Sequence, residues 1–170
     1  MTGDSAFDDR THGLLKEWER RSVANQFGHL EAAKHFRKKN IWFGVPVIVL
    51  SAVVSTSIFA SLNQEDVTPW VRLIIGLVSV AAAVLSALQT FLAFSEQASA
   101  HKVTGASYGA IGRRLEQAIK AGHFSEASTG EFLDDVRCEL DQLAKEAPTL
   151  PDHIYRRVMQ EFELEHPRVH

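Results

Sequence analysis

The sequence contains a single cysteine, Cys138, and has no excess of basic residues. One cysteine in 170 residues excludes an intramolecular disulfide framework and a zinc site built from several cysteines. Lys and Arg number 18 against 21 Asp and Glu, and no basic stripe alternates with aromatic residues, so nucleic-acid binding is not indicated. Asp4, Asp8 and Asp9 lie where a secretory signal needs a basic start and an apolar stretch, and we expect no such signal.

Charge is missing altogether from two long windows, although charged residues make up 23% of the chain. Residues 40–64 and residues 73–95 contain no Asp, Glu, Lys or Arg. A helix needs about 20 apolar residues to cross the hydrocarbon of a bilayer, whereas a core helix of a soluble protein usually keeps one charged face. We therefore predict transmembrane helices at 41–62 and 73–94.

The distribution of Lys and Arg around these windows predicts the orientation. The 20 residues before the first span and the 20 after the second contain eight Lys and Arg, whereas the connection 63–72 contains only Arg72. Because positive residues tend to stay on the cytoplasmic side, both termini are expected there. Trp42 and Trp70 lie at span boundaries, where an indole is well accommodated.

The predicted fold is an all-α membrane protein, a two-transmembrane helical hairpin with a cytoplasmic helical bundle. No Pro or turn cluster follows the second span before Gly122, so that helix is expected to continue to about Ala121. A capping-box spacing at Ser128 and Glu131 then predicts a further helix. The expected parts are a cytoplasmic N-terminal helix at 1–40, the first span at 41–62, an external loop at 63–72, the second span at 73–94, and a cytoplasmic helical region at 95–170 that ends with a helix at 152–165.

One face of the second span is small and polar. Steps of three and four place these residues on one side of a helix: Arg72, Gly76, Ser79, Ala83, Ser86, Thr90, Ala93 and Gln97. Such a face allows close packing between helices, or it lines a water-filled path when several hairpins assemble. Both interpretations remain open, and the pore-lining candidates are Ser79, Ala83, Ser86, Gln89 and Thr90.

Beyond the second span, a seven-residue repeat predicts a helix-pairing seam. Phe94, His101, Tyr108 and Leu115 form one register, with Gln97, Thr104, Ile111 and Ala118 in the companion register. Such a seam pairs helices of one chain or joins protomers. The candidate oligomerisation positions are His101, Tyr108, Ile111 and Leu115, with the polar pair expected as hydrogen-bonded bundle residues.

Signs of catalysis or metal binding are weak. His29 and His35 are six residues apart and so fall on different helix faces, and no phosphate-binding glycine loop or nucleophile-base pair is evident. Arg113 and Arg114 are candidate contacts for an anionic ligand, although a solvated face is the more common role of such a pair. We expect no enzyme activity, no cofactor and no metal.

Two stretches resemble the SLATT domain, the two-transmembrane effector associating with SMODS nucleotidyltransferases and SLOG sensors. Residues 43–62 are similar to the first span of that family, with a Gly-x-Pro start, a Ser/Thr-rich centre and a Phe-Ala-Ser-Leu end. Residues 83–91 are similar to part of its second span. The following family positions match Glu96, Ala98, His101, Tyr108 and Arg113, and the resemblance covers about residues 15–150.

The resemblance implies a membrane effector of a prokaryotic conflict system, in the inner membrane, that opens a pore after infection is sensed. Its trigger is expected from a nucleotidyltransferase or sensor encoded nearby, or from a nucleotide product. A two-helix hairpin cannot enclose a channel alone, so we expect the lipid bilayer and at least four copies of the chain as partners. The alternative is a membrane-anchored interaction module that conducts nothing. A constitutive transporter is less favoured, because the spans contain no acid or base.

Overall fold

The chain is helical throughout the part that the structure describes. A computed structural model describes residues 2–61, 68–121 and 126–165, with side chains at 10–56, 68–121 and 129–162. The five helices are α1 (Thr2–Ser61), α2 (Pro69–Leu92), α3 (Phe94–Ala121), α4 (Glu126–Glu146) and α5 (Asp152–Glu165). Since no strand occurs in these ranges, the predicted all-α class is confirmed.

Two helices are long and apolar enough to cross a membrane, which confirms the two-transmembrane fold. The first candidate span lies within Arg10–Thr56 and the second within Pro69–Ala121, and only 6% of each apolar window is buried inside the chain. Trp42 is 77% exposed and Phe91 is 83% exposed. Large apolar side chains exposed in this way require a lipid or protein environment. The orientation of the termini stays a prediction.

The helix boundaries differ from expectation in two places. The N-terminal helix and the first span form one helix of 60 residues, which continues through Pro46. The helix expected to run from the second span to Ala121 is instead divided at Ala93, a residue in the left-handed conformation. The last helix begins and ends at the expected residues. The expected terminator Gly122, the side chain of Ser128 and loop residues 62–67 lie outside the described residues.

The chain divides into two compact units. The helical unit consists of Met1–Lys34 and Ala98–His170, and the hairpin unit consists of His35–Gln97. In the helical unit, Leu15 of α1, Ile111 and Leu115 of α3, and Val136 of α4 form the core. Burying such aliphatic side chains stabilises a fold by about 1.5–3 kcal/mol each. The core therefore joins three helices of the helical unit.

In the hairpin unit, one stripe of α2 is more buried than the rest of that helix, and it approaches α1 at Gly44. On α2, Ala82 is buried, and the half-buried residues at three- and four-residue steps are Ile75, Val78, Leu85 and Gln89. On α1, Gly44 is buried and approaches Gln89 closely. Pro69 occupies the first turn of α2, where its missing N–H leaves no helical bond unmade. The α2 stripe that contacts α1 is thus distinct from the small and polar face.

Candidate functional site

The small and polar face of α2 is mostly uncovered in the hairpin unit. Gly76, Ala83, Ser86 and Thr90 are exposed, and Ser79 is half-buried. The adjacent stripe centred on Ala82 is the more buried side of α2 and includes Gln89, which approaches Gly44 of α1. Four of these five positions are therefore available to another helix or to water.

The hydroxyl groups on the spans donate hydrogen bonds to their own helices. Ser79 Oγ donates to the Ile75 carbonyl oxygen at 2.8 Å, and Thr90 Oγ1 donates to the Ser86 carbonyl oxygen at 3.1 Å. On α1, Ser55 Oγ donates in the same way to the Ser51 carbonyl oxygen at 2.8 Å. Bonds of this kind satisfy the hydroxyl proton without water, while the oxygen lone pairs can still accept. The face is therefore compatible with both a dry interface and a wet path.

Gln89, expected among the pore-lining residues, lies against the first span. A Cβ atom added at Gly44 would lie 3.0 Å from Gln89 Nε2, so the glycine provides the space for the amide. Gln89 is half-buried. Within the hairpin it faces α1, whereas Ser86 and Thr90 do not share this contact.

A buried histidine pair in the helical unit was not expected from the sequence. The Nδ1 atoms of His29 on α1 and His101 on α3 are 2.9 Å apart, a hydrogen-bonding distance. The Tyr108 ring stacks on His29, with ring centroids 5.7 Å apart. Only 3% of His29 and 2% of His101 are exposed. A polar cluster therefore links α1 to α3 inside the unit.

Burial changes the titration of this cluster. Loss of water around the imidazole, together with the neighbouring His101, lowers the pKa of His29 to about 4. Burial also lowers the pKa of His101 and raises that of Tyr108. All three shifts favour the neutral form, because a charge is unstable when water is withdrawn. The cluster is thus neutral at physiological pH.

A seven-residue spacing on α1 is the signal that would have found His29. Leu15, Ser22 and His29 lie at steps of seven and are all buried. This repeat faces α3. A Cβ atom added at Gly105 would lie 3.3 Å from His29 Cβ, and one added at Gly112 would lie 3.8 Å from Ser22 Cβ. The spacing of the histidines alone does not reveal this repeat, because its other members are Leu15 and Ser22.

The proposed oligomerisation residues lie inside the single chain. His101, Tyr108, Ile111 and Leu115 are all buried in the helical unit. Ile111 and Leu115 belong to the core that includes Leu15 and Val136. Within one chain these side chains pack helices together, which is one of the two roles expected of the seam, and a contact of the seam with another protomer stays a prediction.

The two candidate arginines have different surroundings. Arg114 donates hydrogen bonds to Asp135 and, at 3.0 Å, to Glu139 of α4, and its guanidinium carbon lies 5.2 Å from the centre of the Phe132 ring. Arg113 is exposed. The structure thus engages Arg114 in joining α3 to α4, and contact of either arginine with an anionic ligand stays a prediction.

A cavity of about 230 Å³ opens in the helical unit. Its lining comes from α1, α3 and α4 and includes Trp18, Arg21, Tyr108, Arg137 and Asp141. Arg21 pairs with Glu17 at 2.9 Å and Arg137 pairs with Asp134 at 3.1 Å. The cavity lining therefore carries charges of both signs, from Arg21 and Arg137 on one hand and Asp141 on the other.

Comparison with known proteins adds a family match. The family model described as SMODS and SLOG-associating 2TM effector domain family 4 matches residues 12–161. This range includes both spans, the histidine pair and helices α3 and α4. No curated protein and no solved structure matches the chain.

Proposed function

The chain belongs to the SMODS and SLOG-associating 2TM effector domain family, and from this premise we propose that it forms an ion-conducting pore that depolarises or kills its host cell when triggered. The family is one of two-transmembrane effector domains of conflict and antiviral systems, and its members are membrane-associated helical modules. Ion flow through the inner membrane is a direct way for such a protein to stop growth.

The uncovered face of α2 is the observation that supports this proposal. Gly76, Ala83, Ser86 and Thr90 are exposed although the same helix packs on α1 through another stripe. Two helices cannot surround a channel, so this face needs further copies of the chain, and we expect four or more. The pore-lining candidates then border the path or contact a neighbouring helix, and they are Ser79, Ala83, Ser86, Gln89 and Thr90. Gln89 also lies beside Gly44 of α1.

The placement in the cell follows from charge. Eight Lys and Arg flank the outer ends of the two spans and one lies near their connection, which favours cytoplasmic termini. In that orientation the helical unit is in the compartment where infection is sensed. The trigger is a SMODS nucleotidyltransferase, its nucleotide product or a SLOG sensor, in keeping with the associations for which the family is named.

Ion flux through liposomes tests the pore. Purified protein is reconstituted, candidate nucleotides or the partner protein are added, and potassium release is recorded for wild type, Ser86→Leu and the matched control Ala87→Leu. Both substituted positions are exposed on α2, but only Ser86 belongs to the small and polar face. We expect Ser86→Leu to reduce triggered flux by roughly tenfold or more, because the larger apolar side chain narrows the path and excludes water from it. Ala87→Leu is expected to conduct like wild type.

The opposite results would count against a pore. Equal flux from both variants would show that Ser86 does not border the path. If the liposomes released no potassium with any trigger while the protein still stopped growth in cells, the non-conducting interaction module would be favoured. That alternative is supported by the exposed apolar side chains Phe27, Val103 and Tyr155 in the helical unit. Val103→Glu would then abolish the growth effect and Ser86→Leu would not.

A further inference from the structure

Ser22 of α1 has a buried hydroxyl group without a hydrogen-bond partner. None of Ser22 is exposed, and among the described residues its Oγ is the one buried side-chain polar atom that meets no donor or acceptor. Hydroxyl groups in helices commonly donate to the carbonyl oxygen four residues earlier, as those of Thr104 and Ser107 do at 3.0 and 3.2 Å. Because an unpaired buried polar group destabilises a fold, Ser22 indicates a partner from outside the chain.

Ser22 lines the cavity of the helical unit, which has a buried end and an exposed end. The buried lining residues are Ser22 and Tyr108, and the exposed ones are Arg21, Arg137, Asp141 and Ala144. The volume of about 230 Å³ is about seven times the share of one water molecule in the liquid, so the space exceeds what one water on Ser22 needs. It is below the range of about 300–1,000 Å³ that encloses a drug-sized ligand. The cavity therefore fits one ring system, with the rest of the ligand at the exposed end.

The exposed end carries two arginines whose ion pairs are weak. Arg21 donates to Glu17 at 2.9 Å, but Glu17 also accepts from Arg20 at 3.0 Å, so one carboxylate serves two guanidinium groups. Arg137 pairs with Asp134 at 3.1 Å, and both side chains are exposed. Because exposed ion pairs contribute little free energy, Arg21 and Arg137 can exchange these partners for a phosphate group, which guanidinium groups bind well.

The other lining residues suit a flat ring with hydrogen-bonding edges. Trp18 and Leu140 supply apolar surface, and an indole is a face on which a base stacks. The Asn25 amide both donates and accepts, whereas the Asp141 carboxylate only accepts. No ion pair between described residues involves Asp141. The exocyclic N–H groups of a purine are donors of the kind that Asp141 requires.

We propose that this cavity of the helical unit binds a purine nucleotide. The ring lies on Trp18 and Leu140 and hydrogen-bonds to Ser22 Oγ, and the phosphate group lies at the arginines of the exposed end. The inference deepens the proposed function and rests on it in treating such a nucleotide as the trigger. Binding itself does not require a pore, so the two can fail separately.

Calorimetric titration of the purified full chain in detergent with guanosine 5′-monophosphate tests the site. We expect saturable binding of one ligand per chain. Ser22→Ala should weaken it roughly 2- to 12-fold, because one hydrogen bond to the ligand is lost. The ligand-free variant should unfold at the same temperature as wild type or higher, because the unpaired hydroxyl group is gone. Ser107→Ala is the matched control, since Ser107 lies outside the cavity lining.

Two substitutions at the exposed end separate the ring from the phosphate. Ala144→Phe should abolish binding, because the larger side chain occupies the entrance. Arg137→Gln should weaken binding of guanosine 5′-monophosphate several-fold and leave binding of guanosine unchanged, because guanosine has no phosphate group. Arg156→Gln is the control, because Arg156 is exposed on α5 and does not line the cavity.

The titration also has outcomes that contradict the site. Absence of binding, or equal binding by wild type, Ser22→Ala and Ala144→Phe, would overturn it. Equal affinity for ribose 5-phosphate would show that the ring is not bound. If the nucleotide binds as expected and liposomes never release potassium, the cavity is supported and the pore function fails. If nucleotide-triggered flux is the same in Ser22→Ala, Ala144→Phe and wild type, the pore is supported and the trigger does not bind in this cavity.

Discussion

His29 and His101 face each other across α1 and α3, with their Nδ1 atoms 2.9 Å apart. At this distance one imidazole donates its Nδ1–H to the other, so the receiving ring must be neutral at that nitrogen. A hydrogen bond between the two Nδ1 atoms therefore joins α1 to α3. This bond is lost when both Nδ1 atoms carry a proton, because neither atom can then accept one.

The first prediction concerns acid. The pKa of His29 lies at about 4 in the folded chain, below its ordinary 6.5, and that of His101 is also lowered. The unfolded chain therefore binds more protons than the folded chain between these pKa values. The contribution of the neutral histidines to the free energy of unfolding is present above pH 6.5 and is lost as the pH falls toward 4. For His29 alone the loss is on the order of 3 kcal/mol. Urea unfolding in detergent at several pH values between 7.5 and 4.5 measures it.

The variant His29→Gln separates this titration from other acid effects. Glutamine keeps a hydrogen-bonding side chain opposite His101 but does not take up a proton. We expect the dependence of the unfolding free energy on pH to become clearly shallower between pH 6.5 and 4.5. A slope as steep as that of wild type would show that His29 does not cause the acid sensitivity.

The second prediction concerns the close approach of α1 and α3 at Gly105. A Cβ atom there would lie 3.3 Å from the Gln26 carbonyl oxygen, His29 Cβ and Leu30 Cγ, so three neighbours confine it at once. We expect Gly105→Ala to destabilise the helical unit by about 1–3 kcal/mol. Gly130→Ala on α4 is the control, because a Cβ there meets no atom within 4 Å. Alanine should stabilise that helix by about 0.5–1 kcal/mol. Thermal unfolding of both variants measures the change in stability. If Gly105→Ala were stabilised as Gly130→Ala is, the close approach of α1 and α3 at Gly105 would be refuted.

The third prediction tests the assignment of Leu115 to the core of one chain. Leu115 is fully buried beside Ile111 and Val136, so Leu115→Ala should reduce the unfolding free energy by about 2–5 kcal/mol. Val103→Ala on the same helix should change it by less than about 0.5 kcal/mol, because Val103 is exposed. If Leu115 joined protomers instead, its loss would shift the subunit count in crosslinking while the unfolding of each chain stayed near that of wild type.

The fourth prediction distinguishes the adjacent arginines. Arg114 is only slightly buried, so its two ion pairs, with Asp135 and Glu139, together contribute only about 0.2–1 kcal/mol to the free energy of unfolding. Arg114→Gln should remove this contribution at low salt, and the difference from wild type should shrink at 1 M salt because ions screen exposed pairs. Arg113→Gln is the matched control and should leave unfolding unchanged at both salt concentrations. An equal effect of the two substitutions would contradict the structure around Arg114.

Much of the architecture could be predicted because it depends on composition and period. An uncharged window long enough to span a bilayer has few alternatives to a membrane helix. The seven-residue repeat indicates a helix-pairing seam, and its members His101, Tyr108, Ile111 and Leu115 are buried. The pairing partner of that repeat could not be derived from one helix alone. His29 stands 72 residues from His101 along the chain, and only folding brings α1 beside α3.

The all-helical, two-span architecture follows from the order of the amino acids, because unpaired backbone groups and charges are too costly in hydrocarbon to permit another structure. Folding selects which side of α2 lies against α1, so that Gln89 meets Gly44 while Ser86 is exposed, and it also selects Ala93 as the point where the helix breaks. The physical reason is the same in each case. Local propensity scarcely distinguishes these alternatives, and contacts between residues distant in the chain select one of them.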